Sequence, residues 1–282
     1  MNQFKGRTVI LATMHGKEKV IAPILEKHLG VSVVIPKNFN SDNFGTFTGD
    51  VKRCGNQLEA ARAKLYKAME DEGADIGVSS EGSFGNHPSI PFIKSNLELL
   101  LFIDKKKGYE FQGYFRTPET NISGTYIKNA EEALDFARNI GFPTHGVIVK
   151  RNEHEKNAMH KDLQTEKEVI ETVNTLLVNF SLEQIFIETD MRAHKNPTRM
   201  KAIEKATEDL VKNITSCCPN CKEPGFVMID YIKGLQCSLC NLPTELGVYD
   251  VYGCKMCNHT ENTLVTKYGK IADPKYCNHC NP

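Results

Sequence analysis

The chain has 282 residues, enough for one sizeable α/β domain with a small appended module. Lys+Arg and Asp+Glu number 35 each, so no net field draws the whole molecule toward nucleic acid or an anionic membrane, and any polyanion site is local. No apolar run approaches the roughly 18 residues of a spanning helix, and the run in MNQFKGRTVILATMHG is too short for a secretory signal, so the expectation is a soluble, cytoplasmic protein without membrane association.

TVILAT (8–13) is a β-branched run that predicts a first strand, and GKEKVIAPILEKHLG after it repeats Val20, Ile21, Ile24, Leu25 and Leu29 at helical spacing. VSVVIP (31–36) predicts a second strand, and the Asn/Asp/Gly/Thr-rich KNFNSDNFGTFTGD a loop. NQLEAARAKLYKAMEDEG is built from strong helix formers and ends at Gly73, a natural C-cap. ADIGVSS leads from it as a strand that is expected to stop in a turn, VSSEGSFGNHP, where small residues surround a single acid, Glu81.

LELLLFID and YEFQGYFRT, joined by Lys105 to Gly108, predict a hairpin. NAEEALDFARNIGF reads as a helix, HGVIVKR as a strand, EKEVIETVNTLLVNF as a helix and EQIFIETD as a strand. NPTRMKAIEKATEDLVKNI closes the domain as a helix with Asn196 at its N-cap and Pro197 at its first position. The alternation predicts an α/β domain over 1–215, a mixed β-sheet flanked by helices, followed by a cysteine-rich module over 216–282.

Nine of the ten cysteines follow residue 216, and eight form Cys-x-x-Cys pairs: Cys218/Cys221, Cys237/Cys240, Cys254/Cys257 and Cys277/Cys280. Close pairs point to metal rather than to disulfides. Two knuckles complete one tetrahedral zinc site, so eight thiols predict a double zinc ribbon with two closed, structural Zn2+ sites. Sequential pairing, the first two knuckles on one ion and the last two on another, is the expected order; interleaved pairing is the alternative. Cys54 and Cys217 are left over. The module carries six Lys, no Arg and six acids, and four-thiolate zinc centres add negative charge. That disfavours nucleic acid and favours a folding role or a protein partner held through the ribbons.

In the α/β domain, TMHGK (13–17) places His15 and Lys17 between a strand and a helix N-terminus, where free N–H groups suit an anion. LEAARAKLYKA brings Glu59, Arg62 and Lys64 together among small alanines, an arrangement that could hold Mg2+ and phosphate. Around Glu81, residues such as Ser83 add hydroxyls to an open backbone. ETDMRAHKNPTRM packs Asp190, Arg192, His194 and Arg199 between a strand end and a helix start, where α/β proteins place their chemistry. His87 and His145 are expected to be structural.

VILATMHGKEKVIAPILEKHLGVSVVIP, LEAARAKLYKAM and ADIGVSSEGSFG resemble, in that order, the house-cleaning nucleoside triphosphate pyrophosphatases and inosine/xanthosine triphosphatases. The resemblance implies an inosine triphosphatase-like fold, a phosphate-binding Lys17, a metal-holding Glu59, a basic Lys64 and an acid, Glu81, at the end of the third strand. End to end, LATMHGK, GTFTG, SEGSFGNHP, TDMRAHKNPTRM and the tail CNHCNP resemble a bacterial domain-of-unknown-function family.

The resulting expectation is a phosphohydrolase dependent on Mg2+ or Mn2+, acting on a nucleotide or related phosphorylated small molecule. Glu59, Glu81 and Asp190 are its candidate catalytic residues; His15, Lys17, Lys64, Ser83, Arg192, His194 and Arg199 are its candidate substrate contacts. The alternative is a non-catalytic nucleotide-binding or adaptor protein that uses the ribbons for partner contact.

Overall fold

The first strand, β1 (Thr8–Ala12), sits at the centre of a parallel trio because its four inward positions, Val9 to Ala12, are all apolar and buried. It pairs in parallel with β2 (Ser32–Val34) on one side and with β3 (Ile76–His87) on the other. The computed structural model describes residues 3–37, 39 and 55–282. GTFTG and Cys54 lie outside the described residues. The chain divides into two compact units, Met1–Val211 and Lys212–Pro282.

In the first unit, helix α1 (Glu18–Leu29) leads from β1 to β2, and α2 (Gln57–Asp71) leads from β2 back past β1 to β3. The two crossovers travel in opposite directions along the sheet, so right-handed connections put α1 and α2 on opposite faces. Strand β3 continues antiparallel into β4 (Ile90–Asp104) and β5 (Tyr109–Thr117), giving a mixed sheet of order β2-β1-β3-β4-β5. Alternation along β4 divides its side chains between the faces. Leu99, Leu101 and Ile103 pack with Ile10 and Ala12 against Ala61, Leu65, Ala68 and Met69 of α2.

A second, antiparallel sheet was not anticipated. It comprises β6 (Gly124–Ile127), β7 (Val147–Lys150) and β8 (Ile185–Thr189), in the order β6-β8-β7. Helices α3 (Ala130–Ile140) and α4 (Glu166–Asn179) cover it with Ala133, Ala137, Val169, Val173 and Leu176. Helix α5 (Pro197–Thr215) begins as expected, with Asn196 Oδ1 accepting the Arg199 N–H at 2.9 Å. It then crosses β5 at Gly113, where a Cβ would meet the helix backbone at 2.3 Å. Only a glycine lets the helix lie that close.

The turn expected at VSSEGSFGNHP is instead strand. Residues Ser80 to Asn86 pair in unbroken register with Leu100 to Lys94. Strand β1, by contrast, reaches only Ser79 of β3. Among the described residues no strand pairs with the β1-side edge of β3 from Ser80 onward, immediately beyond the carboxyl end of β1.

In the second unit, β9 (Val227–Lys233), β10 (Gly247–Gly253) and β11 (Thr260–Leu264) form an antiparallel sheet of order β11-β10-β9. Among the described residues of the chain, no helix is long and apolar enough to cross a membrane.

Candidate functional sites

Two features meet at this edge of β3. The first is the turn after β1, where His15 (φ 64°) and Gly16 (φ 75°) adopt left-handed backbone and deliver Lys17 to the start of α1. Lys17 Nζ lies 2.9 Å from Ser80 Oγ, and both residues are buried. The second is α2, whose small Ala60 and Ala61 let it approach the sheet and whose Lys64 donates to the Ser80 carbonyl at 2.6 Å and to the Glu81 carboxylate. Two ammonium groups, arriving with helices on opposite faces, thus close on one residue of one strand.

The α2 side is fixed further by Gln57, whose amide donates to the carbonyls of Glu81 (2.7 Å) and Leu97 (3.1 Å) and whose Oε1 accepts from the Ser83 hydroxyl (3.2 Å). The Glu81 side chain is 14 % exposed, so it forms part of the accessible rim. On the other face Gly82 stands opposite Glu98 in the register. A Cβ at Gly82 would fall 2.3 Å from an Arg199 nitrogen and within 2.8 Å of both Glu98 oxygens, so the glycine makes room for this ion pair. Arg199 Nε donates to Glu98 Oε1 at 2.9 Å, its Nη1 donates to the Met191 carbonyl at 2.6 Å, and its guanidinium lies over the Phe84 ring.

Lys17 feels all of these groups. Burial, then the nearby charges of Arg199 and Lys64, push its ammonium down to about 7, and Glu98 and Glu81 oppose the shift only in part. Glu98 is itself fully buried, and its Oε2 has no hydrogen-bond partner.

The remaining expected residues fall into four groups. His15 stacks on His194, with ring centroids 5.1 Å apart and planes within 17°, which joins the first turn to the loop after β8. The His194 imidazole is pushed down by burial, then by Arg192 and His15. Asp190 and Arg192 largely neutralise each other: the buried Asp190 carboxylate accepts the Arg192 backbone N–H and its guanidinium, which also reaches Asp162 at 3.0 Å. They brace the loop. Glu59 is engaged at the start of its own helix, where Oε2 accepts the Asn56 N–H at 2.8 Å and Asn56 Oδ1 accepts the Glu59 N–H. That capping box accounts for an acid at the helix start without a metal. His87 and His145 have local partners, the Ser89 N–H and the Thr198 hydroxyl.

A cleft of about 540 Å3 opens elsewhere, at the amino-terminal ends of β1 and β3 near Thr8, Ile76 and Lys107. Two of its cations are paired, Arg7 with Asp104 and Lys106 with Asp75.

The second unit has two clusters of four cysteines, and the pairing corrects the sequential expectation. Cys218 and Cys221 meet Cys254 and Cys257; Cys237 and Cys240 meet Cys277 and Cys280. The reason is the sheet. Each strand separates consecutive knuckles, and seven residues of β9 span about 23 Å. An antiparallel meander therefore puts the first and third knuckles at one end and the second and fourth at the other.

The knuckles share one design. The second cysteine is followed by a left-handed residue in three of them, Lys222, Asn241 and Asn258. The N–H of each such residue returns to the carbonyl of the first cysteine, at 2.9–3.0 Å. Sγ···Sγ distances are 3.6 and 3.7 Å in one cluster and 3.6 and 3.9 Å in the other. Four thiolates at the usual zinc distance, arranged tetrahedrally, stand about 3.8 Å apart. Backbone N–H groups at His259, and at Cys280 and His279, pull the Cys257 and Cys277 thiols down to about 6 and about 7, while neighbouring thiols and burial push Cys221 and Cys280 up to about 12. Either cluster could hold a metal ion such as zinc.

Residues 64–282 match one protein-family pattern, a stretch that includes Lys64, Glu81, Glu98, Arg199 and all eight clustered cysteines. The chain belongs to the domain-of-unknown-function family DUF6671. No curated protein matches this DUF6671 member in sequence.

Proposed function

We propose that the α/β unit is a divalent-metal-dependent phosphohydrolase acting on a nucleotide or a related phosphorylated small molecule, and that each cysteine cluster binds one structural zinc ion. One observation carries the first part: Lys17, Lys64 and Arg199 converge with two carboxylates around Ser80, just beyond the carboxyl end of β1. Crevices beyond the carboxyl ends of strands are where open α/β sheets bind ligands, and the first N–H groups of α1 face the same end. The resemblance of the first ninety residues to inosine/xanthosine triphosphatases supports this reading.

In this scheme Lys17 and Lys64 bind phosphate oxygens and Arg199 stabilises charge that develops on them. Glu81, steered by Lys64 and by the grip of Gln57 on its carbonyl, orients the attacking water. Among the described residues only the cysteine clusters bring three or more metal-ligating side chains together. A magnesium ion would therefore be held largely by substrate phosphate and water, the usual arrangement for that ion. When bound it would neutralise phosphate charge and acidify a water.

The test is release of phosphate or pyrophosphate from a broad nucleotide panel with Mg2+ or Mn2+. Glu81→Gln should lower kcat at least about 100-fold. Saturable nucleotide binding with no turnover would replace the enzyme with a nucleotide-binding protein on the same scaffold; the absence of both would remove the site.

A further inference from the structure

In the proposed phosphohydrolase the cation has no assigned side chain, and Glu59, to which the family resemblance points, is bonded within its own capping box. Glu98 is different. It is the one acid in the apolar run LELLLFI, it is fully buried, and only one of its oxygens is satisfied, by Arg199 Nε. The other, Oε2, has no hydrogen-bond partner. An ion pair that existed only to tie α5 to the sheet would be expected to satisfy both oxygens, since a bare carboxylate oxygen in a dry interior is costly. The bare oxygen also lies on the face of the sheet that carries Ser80 and Gly82, because Gly82 and Glu98 are direct cross-strand partners and side chains alternate along β3. Lys17 reaches the same face through the Ser80 hydroxyl.

The charges around this oxygen restrict its occupant. Lys17, Lys64 and Arg199 already face Glu81 and Glu98, so an added dication finds no net negative charge unless an anion arrives with it. Resting on the phosphohydrolase reading, we infer that Glu98 Oε2 is the protein ligand of the divalent cation, and that the cation binds only together with a phosphate-containing ligand. Glu59 has no part in holding it.

The experiment is calorimetric binding of imidodiphosphate, a non-hydrolysable diphosphate, to the zinc-loaded full chain with and without Mg2+, together with a titration of Mg2+ alone. Wild-type protein should bind imidodiphosphate at least about tenfold more tightly with Mg2+, and Mg2+ alone should give no saturable heat. Glu98→Gln, which keeps an acceptor for Arg199, should retain metal-free binding and lose the enhancement, whereas Glu59→Gln should keep it. Should Glu98→Gln fail to fold, Glu98→Asp preserves the charge but withdraws the carboxylate by one methylene, and the enhancement should fall at least about threefold. Full enhancement in either Glu98 variant, its loss in Glu59→Gln, or saturable binding of Mg2+ alone overturns the inference while leaving the phosphate site intact. Failure of wild-type protein to bind imidodiphosphate under any condition overturns the inference and the phosphohydrolase reading together.

Discussion

The two units handle concentrated charge in opposite ways. In the cysteine module, four like groups lie within 4.8 Å of one another with contacts of 3.6–3.9 Å, an arrangement that a cation at its centre would stabilise. Around Ser80, ammonium, guanidinium and carboxylate groups alternate, so that nearly every charge has a counterpart within the protein. With the proposed zinc ions the module would depend on metal for its structure, whereas the α/β unit stands on an apolar core.

The sharpest break in that comparison is metal removal. Structural zinc in small domains is worth about 10–16 kcal/mol of folding free energy, so chelation should abolish amide protection across 217–282 while strands β1, β3 and β4 stay protected, as read by hydrogen exchange. Interleaving adds a finer outcome. The second knuckle lies in the loop between the first and third, and the third between the second and fourth, so Cys237→Ser should release both ions rather than one. Zinc content near one per chain in a folded Cys237→Ser protein would refute this coupling.

The next effect lies in the α/β unit. Glu81→Gln leaves the Lys64 ammonium, almost wholly buried, without its carboxylate. Breaking one partner of a buried pair costs about 3–5 kcal/mol, with the lower end expected here because Glu81 is partly wetted. Urea unfolding followed by far-UV circular dichroism should show this as a lower midpoint at an unchanged slope. Lys64→Met with Glu81→Gln should recover much of the loss, because no unpaired charge then remains.

Much of this contrast was legible in residue order alone. The knuckle spacing announces metal, and the helix start at Asn196 with Pro197 announces itself by capping chemistry that needs nothing from the rest of the fold, whereas the Asn56 and Glu59 capping box went unread because Glu59 was assigned to a metal. What stayed hidden depended on distant partners. Ser80 to Asn86 have the composition of a turn, yet β4 supplies a full ladder for them and the local preference loses. Glu98 carried a signal that went unread: a lone acid in an apolar run must be paired if buried, and its partner Arg199 lies 101 residues away. The pairing of the knuckles was hidden for a similar reason, since it follows from strands between them whose exposed, mixed residues do not read as a sheet.

Gly82 tests whether the charged cluster tolerates crowding as the apolar core would. Gly82→Ala adds only a methyl group, but it would press on Arg199 and on both Glu98 oxygens, groups that cannot move without giving up their hydrogen bonds. A loss of about 1–3 kcal/mol is expected. Gly85→Ala, three residues along the same strand with nothing within 4 Å of the added carbon, should be close to neutral. Equal thermal stability of the two variants would mean that the ion pair shifts freely.

The last effect changes with pH and concerns Lys17, where the sign separates buried charge from paired charge. Its ammonium titrates at about 7 in the folded protein and at its ordinary 10.5 in the unfolded chain. Below pH 7 both states hold the proton, so the cost of burying the charge is present in full and does not vary with pH. Between 7 and 10.5 the unfolded chain holds a proton that the folded protein has shed, so this group makes stability rise with pH, by at most about 1.4 kcal/mol per unit. Lys17→Met should therefore gain on wild type most below pH 7, with the advantage shrinking through pH 9 in urea midpoints measured across that range. A difference between the two proteins that is flat from pH 6 to 9 would mean that Glu81 and Glu98 compensate Lys17 fully, and that the cluster around Ser80 is as well balanced as a structural ion-pair network.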